Sequence, residues 1–185
     1  MSIFEFLMVL VSLIIGLGIA ELLTGVTRII RCQDSVQTYW IHSMFMVIVF
    51  LALLQQWWEI WGVRDVSIWT FPGMVMMLAG PVGLFLIANL LFPEPVSGAD
   101  FRAYYYNKMR PVLWIGVVTV LLAVTFRPLV LGTELLALHN LSSFVIMAIF
   151  VSLTLIRKSW FHGMMVTLVL IGVLTDIMLA GFEIK

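Results

Sequence analysis

Two histidines stand in nearly the same setting. YWIHSMF, residues 39–45, and SWFHGMM, residues 159–165, share the pattern Trp-x-His-x-Met, and the chain has only three histidines. An imidazole can ligate a metal, take up a proton near neutral pH or bond a lipid headgroup. A matched pair could do more. On neighbouring parallel helices His42 and His162 would lie at one depth, as two axial ligands bracket a haem iron. They could equally share a metal ion. A haem held this way would be b-type, because no CxxCH attachment site is present. The plainer reading is that each ring bridges headgroups and water where a helix enters a membrane. No cofactor is expected on that reading.

Acidic and amide side chains inside apolar runs are the second set of candidates, because ionisable groups in a membrane are costly and mark ion or proton sites. Glu21 follows Ile3 by 18 residues, about 27 Å along a helix. That puts it near the depth of His42 on a returning helix, with Asn89 close enough to join them. Asp176 follows Trp160 by 16 residues, about 24 Å, and so falls toward the opposite face. Glu5, Gln55, Gln56, Glu59, His139 and Asn140 fall at similar levels. Two polar groups result, one inner and one outer, with almost wholly apolar helix between them. A continuous hydrophilic pore within one copy is therefore not expected.

The elements that carry these residues follow from hydropathy. The 185 residues are 63% hydrophobic and 11% charged, with a mean hydropathy of +1.13; soluble domains sit near about 45–50% and 25%. An all-α integral membrane protein is implied. A crossing needs about 20 apolar residues, and six stretches suit one: 3–26, 39–61, 69–92, 110–127, 138–156 and 160–181. They form a single domain, 1–185, built as three helical hairpins. The third helix is expected to kink at Gly80-Pro81. Such a mid-depth break marks a substrate site in some transporters and plain packing in more proteins. The first stretch lacks a basic n-region and carries Glu5, so it reads as a transmembrane helix rather than a signal peptide.

Positive charge orients the bundle. Arg28, Arg31, Arg102, Lys108, Arg110, Arg157 and Lys158 follow the odd-numbered helices, leaving Arg64, Arg127 and Lys185 for the other side. The seven-cation side should be cytoplasmic, with both termini periplasmic. Trp57, Trp58, Trp61 and Trp69 form an outer aromatic belt. Tyr39, Trp40, Tyr104, Tyr105, Tyr106 and Trp160 form an inner one. In ADFRAYYYNKMRP, Asp100 caps a helix. The residues after it suit a short interfacial helix over 100–109, whose Arg102, Lys108 and Arg110 meet lipid headgroups; an ordinary basic loop is the alternative.

SLIIGLGIAELLTGVTRIIR, YWIHSMF and FRAYYYNKMR together resemble small multi-pass bacterial membrane proteins. The resemblance implies a bacterial inner membrane and six helices, and no particular activity. Balanced charge, ten Lys and Arg against ten Asp and Glu, gives no pointer to nucleic acid. The one cysteine, Cys32, excludes an internal disulfide or a thiolate cluster. No GxSxG, HExxH or phosphate loop occurs, so an enzyme is not expected. The leading expectation is an oligomeric transport or channel-type protein. A non-catalytic subunit or assembly factor of a larger membrane complex comes next, and a haem- or metal-binding redox protein using His42 and His162 third.

Overall fold

The computed structural model describes residues 3–66, 69–132 and 140–179. They fold into six α-helices: α1 Ile3–Arg31, α2 Trp40–Ile60, α3 Phe71–Leu90, α4 Phe101–Leu131, α5 Leu141–Leu155 and α6 Ser159–Leu179. A 3-10 turn, Trp61–Val63, extends α2. Helix is the expected answer for segments this apolar, because lipid offers no partner to a backbone amide or carbonyl outside the segment itself.

Local chemistry sets the boundaries. Thr70 accepts from the Gly73 amide at 3.2 Å and opens α3, with Pro72 in its first turn. Asp100 accepts from the amides of Arg102 and Ala103, at 2.8 and 3.1 Å, and opens α4. Gly132, at φ +66°, closes α4 in the left-handed conformation that glycine tolerates.

Five helices are long and apolar enough to cross a membrane; α5 is shorter. Its 15 residues span about 22 Å, less than the hydrocarbon core of about 30 Å. The stretch expected as a crossing begins at 138, and residues 133–139, with His139, lie outside the described residues. The fourth helix also differs from expectation. No separate interfacial helix occupies 100–109: those residues are the first turns of α4, which runs on through Pro111. The reason is one buried face. Phe101, Tyr105, Met109 and Val112 recur at helical spacing and are all at most 2% exposed, so this segment packs into the bundle instead of lying on it. Helix α3 likewise continues through Pro81.

The packing order runs α1, α3, α4, α5, α6, α2 and back to α1, and α2 also touches α3 and α4. Helices α1 and α2 meet where Trp57 donates to Ser12 Oγ at 3.1 Å and where Gly18 takes Leu53 against its backbone. Helices α1 and α3 meet at Gly18–Phe85, Glu21–Asn89 and Gly25–Phe92, a nearly constant offset that makes them parallel. Small residues give these helices the close approach that packing in lipid requires. At the basic end the two loops are joined by main chain. Gln37 donates to Ala99 at 3.0 Å and accepts from the Phe101 amide at 3.0 Å.

Candidate functional site

Five helix ends converge beside that bridge. They bring together Tyr39 and His42 from α2 and its approach, Phe101, Tyr104, Tyr105 and Tyr106 from α4, and Ser159 and His162 from α6. Tyr105 is the hub: its ring lies 5.7 Å from Tyr39, 5.2 Å from Tyr106, 6.1 Å from His42 and 5.4 Å from His162, in edge-on geometries that aromatic pairs favour.

Both histidines are buried, and their bonds fix their tautomers. His162 Nε2 lies 2.7 Å from the Ile156 carbonyl. A carbonyl only accepts, so Nε2 carries hydrogen and donates. In the neutral ring Nδ1 is then an acceptor, and the Tyr105 hydroxyl donates to it at 2.9 Å. His42 Nε2 donates in the same way to the Leu91 carbonyl at 2.8 Å. Ile156 is the C-cap of α5 and Leu91 the C-cap of α3. Each imidazole therefore satisfies a carbonyl left over at a helix end. Among the described residues the Nδ1 of His42 has no partner, and the His42 ring packs against those of Phe101, Tyr104 and Tyr105.

A second strand of bonds runs beside these. The Tyr39 hydroxyl lies 3.0 Å from the Tyr106 hydroxyl and 3.1 Å from Ser159 Oγ. The Arg102 guanidinium stands 5.9 Å over the Tyr39 ring. Burial pushes the Tyr39 phenol above its ordinary pKa; the Ser159 bond opposes that shift and Tyr106 adds to it. Tyr104 donates to the Leu90 carbonyl at 3.0 Å and ties α4 to the end of α3.

The expected site residues separate. Helices α2 and α6 are neighbours, and Trp40 packs against Gly163. The two histidines still do not face one another: each points at a carbonyl, and Tyr105 stands against both. As placed they do not form a bis-axial pair. Glu21 does not reach His42; it accepts from Asn89 Nδ2 at 3.3 Å, on an exposed edge of α1 and α3. Gln56 lies with its amide against the Gly80 backbone, where a β-carbon would come within 2.9 Å of its Oε1. Asp176 is half-buried on α6. Lys108 and Arg110 are exposed on α4. Among the described residues no three His, Cys, Asp or Glu side chains gather as metal ligands.

Tyr39, Tyr105 and Tyr106 are expected from sequence only as belt residues, and Ser159 carries no expectation. The signal for Tyr105 was present in the four-residue spacing of Phe101, Tyr105 and Met109, which marks a core face. No protein-family model, no curated protein and no solved structure matches the chain.

Proposed function

We propose that this chain is a multi-pass integral membrane protein that serves as a non-catalytic subunit, acting through the surface it presents to other membrane chains. In this reading six apolar segments cross a bacterial inner membrane as three hairpins, the fifth being the whole 138–156 stretch rather than α5 alone, with the basic end cytoplasmic and both termini periplasmic. One observation carries it. Among the described residues no charged side chain is buried, and the buried polar ones are His42, Thr119, Asn140, Thr154 and His162. Both histidines spend their donors on helix ends. Such an interior offers a solute neither a wet path nor a charged relay; its polar groups hold helices together. The outer surface, in contrast, carries large exposed apolar side chains on every helix.

A second reading has its own support. Glu21 and Asn89 form a polar pair on an exposed edge between α1 and α3. A polar pair facing outward from apolar helices suits a pathway assembled between copies, as in an oligomeric channel. A haem-binding role for His42 and His162 would use the Nδ1 atoms, since both Nε2 atoms donate to carbonyls; His162 would have to give up its Tyr105 bond, and the His42 ring is packed against Phe101, Tyr104 and Tyr105.

Native mass spectrometry of the gently extracted protein separates the two. The subunit reading expects a complex carrying a second membrane chain in fixed ratio. Masses that are only multiples of 21.0 kDa, together with ion flux in reconstituted vesicles that Glu21→Gln abolishes, would replace it with the channel.

A further inference from the structure

We infer that the groove between α2 and α6 at the basic end binds the acyl chain of an anionic phospholipid, with its headgroup on Arg157 and Lys158. The groove is a shallow, open one of about 420 Å³, flanked by Trp40 and Trp160, with Gly163, Met164, Thr167 and Leu168 along its length. The last four form two i,i+4 pairs, so the groove runs straight along α6 for about two turns. Gly163 shapes it: a β-carbon there would come 2.8 Å from Cη2 of Trp40, so only glycine lets that indole lie against α6. Thr167 donates its hydroxyl back to the Gly163 carbonyl at 2.8 Å. Its polar atom is thereby satisfied, and the wall is apolar to a chain. At the mouth Ser159 is held by Tyr39.

Charge chooses the occupant. Arg157 and Lys158 immediately precede the groove, are exposed, and make no ion pair among the described residues. Lipid tails are as apolar as the groove, so burying one there gives no hydrophobic gain over the bilayer. Discrimination must come from the headgroup, and two unpaired cations beside two interfacial indoles favour net negative charge. The expected preference for phosphatidylglycerol over phosphatidylcholine is about 30-fold, corresponding to about 1 kcal/mol for each cation. The inference rests on the membrane placement proposed above and not on the subunit role, so its failure leaves that role standing.

Native mass spectrometry of the full chain in an equimolar mixture of the two lipids provides the test. One retained phosphatidylglycerol per chain is expected. R157Q/K158Q should bring the preference close to parity, and R28Q/R31Q, which removes two cations from the last turn of α1 at the same end, should leave it unchanged. Met164→Trp should fill the groove and abolish retention of either lipid. Three results would each overturn the inference: no lipid retained by the wild-type chain, equal loss in the two charge-removal variants, or a lipid-free dimer that Met164→Trp dissociates, which would give the groove to a second copy.

Discussion

The bond between Tyr105 and His162 closes the basic end, and a double-mutant cycle measures it. Tyr105→Phe removes the donor and leaves His162 Nδ1 an unpaired acceptor. His162→Ala removes two bonds, at 2.9 and 2.7 Å, and strands the Tyr105 hydroxyl and the Ile156 carbonyl. A buried polar group left without a partner costs about 1–3 kcal/mol. Ile156 is 38% exposed, so water relieves part of its loss. Tyr105 is 1% exposed, so its hydroxyl bears the full cost. The expected losses are about 1–2 kcal/mol for Tyr105→Phe and about 2–4 kcal/mol for His162→Ala. The double variant loses the shared bond only once. Cycles of this kind in membrane proteins average about 0.6 kcal/mol and reach about 1.7. With both partners buried, the coupling should lie in the upper half, about 1–1.7 kcal/mol.

Unfolding by titration with a denaturing detergent, followed by tryptophan fluorescence, reads all four proteins. Additivity within about 0.3 kcal/mol would refute the assigned bond and, with it, the tautomer deduced for His162. His42→Ala combined with Tyr105→Phe is the internal control. Those rings are 6.1 Å apart, but the Tyr105 hydroxyl is not bonded to His42. Removing that hydroxyl should therefore be additive with losing the imidazole.

Other expectations concern single positions. Asp100→Ala strips both cap bonds from α4 and should cost about 1 kcal/mol in the same titration, whereas Asp100→Asn should recover most of it. Gly83→Ala puts a β-carbon into the Thr119 side chain and should cost about 1–3 kcal/mol by overpacking; adding Thr119→Ala should restore more than half, and no restoration would mean that α3 and α4 meet elsewhere. Cys32 is the chain's one thiol and sits in the turn after α1. If the basic end is cytoplasmic, a membrane-impermeant maleimide should leave it unlabelled in intact cells and should label Arg64→Cys in a Cys32→Ser background; the reverse pattern inverts the topology. Tyr39 has its pKa raised by burial, so the folded state holds this proton more tightly than the unfolded chain. Its contribution is complete below the ordinary tyrosine value, about 10, and is lost as pH rises through the folded value. Stability should fall in that alkaline window, and less steeply in Tyr39→Phe.

Hydropathy made the helices legible, because a helix in lipid must satisfy its own backbone and its apolar length shows in sequence. The cap at Asp100 was legible for the same kind of reason: its bonds lie within three residues. What could not be read was which neighbour a side chain meets across the bundle. Residue counting places Glu21 and His42 at similar depth, but it does not show that α3 stands beside α1 and gives Glu21 its partner in Asn89. The three tyrosines of α4 illustrate a second limit. Their composition matches an interfacial belt, and only the four-residue period separates Tyr105, which is buried, from its neighbours. Depth can be counted along a helix, but azimuth has to be read from periodicity, and within a single turn both readings compete.

The repeated Trp-x-His-x-Met gains its meaning from this geometry. At both sites the histidine stands in the first turns of a helix leaving the basic end, and at both its Nε2 donates to the last free carbonyl of a helix arriving there. The partners, however, are not equivalent. His162 closes α5, the helix just before its own, across only six residues. His42 closes α3, which lies later in the chain and belongs to another hairpin. A duplicated hairpin would have kept the partner in the same relation. A shared physical task accounts for both better than shared descent does: each arriving helix leaves carbonyls without an intrahelical partner, and an imidazole one turn into a neighbour has the reach and the donor to meet them. The tryptophans then differ because their neighbours differ. Both remain largely exposed, 56% for Trp40 and 65% for Trp160, but Trp40 lies against Gly163 and Trp160 stands edge-on to Phe161. Replacing Gly163 should therefore disturb Trp40 and leave Trp160 unmoved, an asymmetry that a true repeat would not produce.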